Sequence, residues 1–261
     1  MQKTSSLYKY LLSGRHWNET RLSIGDTGRL VDKSGNRITF GGTGILVASA
    51  GADGGYDESV FAEDGISTTS CVFDSNTPAV GCCVSGEIDV KMLRPAGRIE
   101  GLSRIALYTR LTDGTRHSEW LSQGVYFLNS ADSDADENGV QWMKIHGYDA
   151  MQKAEQDYPS SKLQWPAADI DVVREIADAM GVSIDPRTVE IMTGEYPVEY
   201  SPDLSCREML SYISAMYAGC FIMNENGELR LICFWDIPKE TRYLINNPGY
   251  AITFGGVRIL V

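Results

Sequence analysis

The spacing at which apolar residues recur changes once along this chain, and that change narrows the folds open to it. From Thr20 to about His146 the pattern is period two, broken repeatedly by short glycine-bearing turns. Gly86–Leu93 states it most cleanly, with Ile88, Val90 and Met92 alternating with Glu87, Asp89 and Lys91. Successive side chains of a strand point to opposite faces, so this alternation predicts a sheet with one buried and one wet face. Beyond Gly147 the spacing becomes that of a helix. Asp169–Met180 sets Ile170, Val173, Ile176, Ala177 and Met180 on one stripe, with aspartates near its start and Gly181 just past its end. Acidic groups suit the positive end of a helix dipole, and glycine suits the left-handed residue that closes a helix.

Taken in order, Ser5–Gly14 is expected to form a short helix with Leu7, Leu11 and Leu12 as its apolar side. Strands are expected at Arg21–Ile24, Arg37–Phe40, Ile45–Val47, Thr69–Phe73 and Gly86–Leu93, then at Arg104–Thr112, Ser118–Leu128 and Val140–His146. Asp113-Gly114 marks a hairpin turn. A short helix should follow over Tyr148–Asp157, and Thr188–Pro202 reads as irregular chain. In Ser205–Trp235, Ser205 and Glu208 form a capping box. Met209, Leu210, Ile213, Met216 and Tyr217 follow on one helical side, with Gly219 as the stop. Cys220–Met223 and Glu228–Phe234 then flank Asn224–Gly227 as a hairpin.

Several chemistries are disfavoured. The net charge of -12 argues against a nucleic-acid surface, which needs clustered Lys and Arg. No apolar run approaches membrane-spanning length, and Met1–Ser6 is not followed by the apolar core of a signal peptide. The six cysteines make no CxxC, and two are adjacent, so they read as reduced thiols. His16, His117 and His146 are scattered, without a zinc-binding spacing. Ala48–Asp57 is glycine-rich but lacks the lysine of a phosphate-binding loop, and reads as a surface loop.

Three features carry chemistry in principle. Asp132, Asp134 and Asp136 alternate as a calcium loop's carboxylates do, but Glu137 stands where such a loop turns on glycine, so an acidic hairpin loop is the preferred reading. Cys220 and Cys233 fall in facing hairpin strands and could approach each other, but no histidine lies nearby in sequence to activate a thiol. Trp120, Trp142, Trp165 and Trp235 could stack on a sugar or could anchor the core. No catalytic residue and no cofactor is assigned, and the chain is read as a non-enzyme.

Two sets of residues together resemble a known family. The first is Arg110-Leu, Asp113-Gly-Thr115, Ser118-Glu-Trp120, Gly124, Phe127 and Gly147-Tyr-Asp-Ala-Met151, in that order. The second is the capped helix and hairpin of Ser205–Trp235, with Val80–Leu93 as a further echo upstream. The set resembles the tail-tip, or baseplate, hub proteins of bacteriophages and prophages, which in many phages form the N-terminal region of a tail-associated lysin. The resemblance runs from about Thr20 to Val261. It implies a virion structural protein, assembled in the bacterial cytoplasm and placed at the tail tip. It further implies self-association as a homotrimer, with the distal tail or tail tube protein, the tape measure protein and tip or fibre proteins as partners. It implies neither sequence-specific nucleic-acid binding nor membrane insertion. The rival readings are a tail-associated peptidoglycan hydrolase fragment and a host-surface glycan- or calcium-binding module.

One internal echo bears on architecture. Ile38–Val47 (ITFGGTGILV) and Ile252–Val261 (ITFGGVRILV) agree at eight of ten positions. Chance between two glycine-kinked strands accounts for this, and so does a second β module beginning near Tyr250. In the resembled family, two similar barrels in each of three subunits make a ring of near-sixfold character. The expected fold is therefore α+β: a β-barrel-like module over 1–147, an inserted α/β module over 148–245 and the first strand of a second, shortened β module over 246–261. The α/β module would hold helices 148–157, 169–180 and 205–217 and hairpin 220–234. Exposed strand edges invite pairing with another chain, so Ile38, Phe40, Ile45, Val47, Ile252, Phe254, Ile259 and Val261 are the expected interface.

Overall fold

A computed structural model describes residues 2–25, 55–75, 77–95, 103–158, 161–194 and 196–234, together with the backbone of short strands within 27–48 and 253–258. In chain order the elements begin with α1 (Ser6–Leu12), β1 (Trp17–Ile24), β2 (Thr27–Arg29), β3 (Thr39–Phe40), β4 (Thr43–Gly44), β5 (Leu46–Ala48) and β6 (Tyr56–Asp57). The longer strands follow as β7 (Phe61–Thr69), β8 (Glu87–Leu93), β9 (Arg104–Thr112), β10 (Leu121–Ala135) and β11 (Gln141–Asp149). Then come β12 (Ala167–Ala168), α2 (Asp169–Met180), α3 (Pro186–Ile191), β13 (Pro197–Val198), α4 (Cys206–Met216), β14 (Gly219–Met223), β15 (Leu229–Cys233), β16 (Thr253–Phe254) and β17 (Val257–Arg258).

Seven strands form one antiparallel sheet in the order β6-β1-β9-β10-β11-β8-β7, curled into a half-barrel. Leu22, Ile88, Val90, Met92, Ile105, Leu107, Tyr126, Leu128, Met143 and Ile145 form its buried cluster. The alternation in β8 is the predicted one: Ile88, Val90 and Met92 are buried, while Asp89, Lys91 and Leu93 are exposed. Register slips between Ser122 and Gly124 and between Leu128 and Ser130 place bulges in β10. A bulge bends its strand and deepens the local twist, which suits a curled sheet.

The second cluster packs α2, α4 and the β14–β15 hairpin together, with Met151, Ile176, Met180, Leu210, Ile213 and Phe221 almost fully enclosed. Gly181 closes α2 in the left-handed conformation, as expected. The capping box on α4 is complete: Ser205 Oγ accepts from Glu208 N, and Glu208 Oε2 accepts from Ser205 N at 2.8 Å.

Local expectations fail where tertiary contacts decide. In α1, two turns leave room for one core residue, so Leu11 is buried and Leu12 is 55% exposed. Residues 70–73 are not a strand; the ladder ends at Thr69. The strand expected to stop at Leu128 runs on to Ala135, because β11 pairs with it that far. The short helix after Asp149 is a 3-10 turn, Ala150–Glu155. Pro186–Ile191, read as partly irregular chain, is helical, and its signal was present: Asp185 caps it and Pro186 opens it. Gly219 belongs to β14, and the turn after α4 falls on Ala218 at φ 46°. A Cβ at Gly219 would lie 2.3 Å from Ile232 O, so close strand contact explains this glycine. Met216 is 43% exposed, while Tyr217 takes the inward place and donates its hydroxyl to Asp169.

Candidate functional site

Between β7 and β8 the chain leaves the sheet, and residues 77–86 run as a strap along the helical layer. Gly81 N donates to Gly219 O at 2.8 Å and Phe221 N to Cys82 O at 3.1 Å, which covers the outer edge of β14. Ser183–Asp185 cover the edge of β15 in the same way, through Leu229 N to Ser183 O at 2.8 Å and Asp185 N to Leu229 O at 2.9 Å. A short hairpin is marginal alone, and two covered edges make it the centre of a wider layer.

Two charged groups fasten strap, sheet and helix. Asp149, at the end of β11, accepts from Gly86 N at 2.7 Å and from Met151 N at 2.9 Å. Burial pushes its carboxyl up to about 6, against the pull of those two amides and the nearby Arg207 charge. Arg207 reaches back from the first turn of α4 and donates to Cys83 O, to Ser85 Oγ at 3.1 Å and to Met151 O at 3.0 Å. Its Nε faces Glu155 Oε1 at 2.8 Å, an ion pair outside hydrogen-bond alignment. Sequence reasoning missed this arginine. A cation at the positive end of a helix is locally unfavourable, which is the hint that a tertiary partner holds it there.

Other residues that carried the family resemblance hold a second joint, at the β9–β10 turn and α1, and the β10–β11 strand pair. Ser118 Oγ accepts from the buried Leu111 N at 2.9 Å. Glu119 accepts from both Ser5 N and Ser5 Oγ at 2.6 Å, tying the start of α1 to the β9–β10 turn. Trp120 lies under the Arg110 guanidinium at 4.4 Å. Asp113 closes its turn by accepting from Thr115 N, Arg116 N and the Arg116 side chain, which holds its carboxyl well below the usual range. At Gly147 a Cβ would come within 2.8 Å of Phe127 O and 3.3 Å of Ile105 Cδ1, so only glycine lets these strands close.

Two surfaces stand out. At the α1 end of the sheet, Tyr10, Leu12 and Trp17 are at least half exposed, with Arg116 over Tyr10 and Arg15 over Trp17. Beside β1, adjoining grooves of about 540 and 520 Å³ share Thr20 and Glu58 in their walls. Neither groove is lined by a histidine or a cysteine.

The predicted residues fall as follows. Asp132 and Asp134 lie in β10, not in a loop, and Asp134 pairs with Lys144 at 3.4 Å. Asp136 spends its oxygens on Asn138 N, Val140 N and Trp142 Nε1, which builds the turn. Among the described residues no group of three or more His, Cys, Asp or Glu is placed to hold a metal. Trp120 directly precedes β10 and Trp142 lies in β11 opposite Asp134, near the far end of β10, while Trp165 packs with Tyr158 and Tyr200 in the helical layer. Trp235 lies outside the described residues. Cys220 pairs with Ile232 and Cys233 with Gly219, so the two thiols face opposite sides of the hairpin and do not approach. Burial pushes Cys83 up to about 12 and Cys206 up to about 11, which keeps both protonated and unreactive at neutral pH.

Of the expected interface, Ile38, Ile45, Ile252, Ile259 and Val261 lie outside the described residues. The backbone at Phe40 and Phe254 is described, and the two sites match. β3 pairs with β4 as Thr39↔Gly44 and Phe40↔Thr43, and β16 pairs with β17 as Thr253↔Arg258 and Phe254↔Val257. In the sequence a Gly-Gly pair stands between the two strands of each copy. Val47 is paired within the chain, opposite Gly28.

No family model matches the chain, and no curated protein matches it in sequence. Among solved structures, the chain is similar to a 43 kDa tail protein of prophage MuSo2 from Shewanella oneidensis, at 12% identity and a TM-score of 0.46, over 84% of this chain and 56% of that one. It is similar to a tail protein from Neisseria meningitidis MC58, at 11% identity and a TM-score of 0.36, over 56% of this chain and 42% of that one. It is also similar to the Francisella PdpA-VgrG complex, at 11% identity and a TM-score of 0.41, over 83% of this chain and 31% of the matched one. The chain thus spans little more than half the length of the first of these and less of the others. No helix among the described residues is long and apolar enough to cross a membrane.

Proposed function

We propose that this chain is a structural protein of a phage or prophage tail, a baseplate hub that self-assembles as a trimer at the tail tip. In that role it joins the tail tube to the tip proteins and carries out no chemistry of its own. The observation that supports the reading best is the pair of strand ladders that fall in the two ITFGG segments, which repeat both sequence and strand register 214 residues apart. A repeated element of this kind is what two similar β modules per subunit would contain, one over 1–147 and one from 246 onward, with the α/β module of 148–245 between them. Three such subunits present six similar modules to a sixfold tube. The residues that prompted the family resemblance support the same reading, because they hold structural joints.

Absolute mass by light scattering on a sizing column, over a wide concentration range, tests this. A trimer of three 28.8 kDa chains is the expected result. A strict monomer at every concentration refutes the self-assembly, and turnover of purified cell wall by the chain refutes the non-enzymatic role.

A further inference from the structure

The strap over 77–86 carries a chemical feature that the tail reading does not use. Cys82 and Cys220 lie on neighbouring backbones, held by the Gly81 N to Gly219 O and Phe221 N to Cys82 O hydrogen bonds on either side of the pair. Both thiols turn to one oxygen: Cys82 Sγ is 3.7 Å and Cys220 Sγ 3.4 Å from Ala79 O. Burial first, and the nearby Cys82 thiol after it, hold the Cys220 thiol above its ordinary value. Those two backbone hydrogen bonds bring the strap and β14 side by side at the cysteines, the closeness a disulfide requires of the segments it joins. None of the six cysteines is in a disulfide in this structure.

We propose that Cys82 and Cys220 are a disulfide-forming pair, which under a disulfide-class oxidant locks the strap to the edge of β14. The two have unequal roles. Cys82 is partly exposed and within 3.8 Å of Asp74 Oδ1 at the protein surface, whereas Cys220 is fully buried. Cys82, as thiolate, attacks a sulfur of oxidised glutathione and expels one glutathione thiolate, leaving a mixed disulfide. Cys220 loses its proton to solvent base and attacks the Cys82 sulfur, expelling the second glutathione. Two protein thiols are oxidised and one glutathione disulfide is reduced to two thiols, so the electrons balance. Burial raises the Cys220 thiol, so the second step is the slower one. The consequence follows the redox compartment: the strap stays unlinked in a reducing cytoplasm and becomes linked outside it.

The inference is independent of the tail assignment. Its test is to incubate the folded chain with excess oxidised glutathione, count the remaining thiols, and map unreduced tryptic peptides by mass spectrometry. The expected result is loss of two of the six thiols, with the Cys220 peptide joined to the peptide holding Cys82. Cys82→Ser should abolish the link, whereas Cys71→Ser and Cys83→Ser should leave it. The linked chain should also unfold at higher urea than the reduced chain, a shift absent in Cys82→Ser. Because Cys220 is buried, Cys220→Ala is the control on that side, with its folding checked by circular dichroism. Survival of all six thiols in the folded chain overturns the proposal. So does a link through Cys233, or one that persists in Cys82→Ser.

Discussion

Replacing Arg207 with methionine should loosen the joint between sheet and helical layer more than any exposed change. The side chain is 24% exposed and donates to two main-chain oxygens, Cys83 O and Met151 O, and to Ser85 Oγ. A hydrogen bond from a charged donor is worth about 1.5–3 kcal/mol net, so three would sum to about 4.5–9 kcal/mol if independent. They share one guanidinium and are not independent, and the partial exposure lets water reach some of the orphaned acceptors. A loss of about 3–4 kcal/mol is the expected value, near the cost of breaking other buried charge networks. For a chain of this size that lowers Tm by about 6–16 °C. Urea unfolding followed by circular dichroism measures it, with Arg207→Lys as the companion. Lysine keeps the charge but cannot span three acceptors from one head, so it should recover less than half of the loss. A loss below about 1 kcal/mol in the methionine variant, or full recovery by lysine, would refute the argument that the fork holds the strap.

Asp149 should leave a signature in the pH dependence of stability. Its folded carboxyl sits at about 6, above the ordinary value of 3.8, so its contribution is fully present below pH 4 and is lost as pH rises through 6. That elevation is worth about 3 kcal/mol, and Asp149→Asn should flatten that part of a urea-midpoint profile measured from pH 4 to 8. An unchanged slope in that variant would show that another group titrates there. Gly147→Ala forces a Cβ against Phe127 O and Ile105, and should cost about 1–3 kcal/mol by thermal melting. Gly139→Ala meets no atom within 4 Å and has only its left-handed φ of 79° to strain, so it should cost less than Gly147→Ala.

Local order was legible wherever a short stretch carries its own instructions. The stripe and glycine stop of α2 and the capping box of α4 need only neighbours within a few residues, because their hydrogen bonds close within the element. The alternation in β8 is legible for another reason, the two-residue pleat of a single strand, although its hydrogen bonds go to β7 and β11. Even the missed α3 had its cap and its opening proline in plain view. The family resemblance was readable too, though the reason for it was not. Glu119, Asp149 and Gly147 matter because of what each meets more than twenty residues away or across a strand pair, and no periodicity records that. Ser118 is the exception, reaching only Leu111.

What only the tertiary structure decided are the pairings between distant segments. Cys220 and Cys233, near in sequence, are set on opposite faces by the register of one hairpin, while Cys82, 138 residues away from Cys220, is brought beside it. Arg207 finds its partners in a strap more than 120 positions upstream of it. The amino-acid sequence determines each element through backbone geometry and the period of its apolar residues. Which elements meet is set by burying two apolar clusters at once while every covered strand edge finds a hydrogen-bond partner, a condition satisfied by the whole chain and by no segment of it.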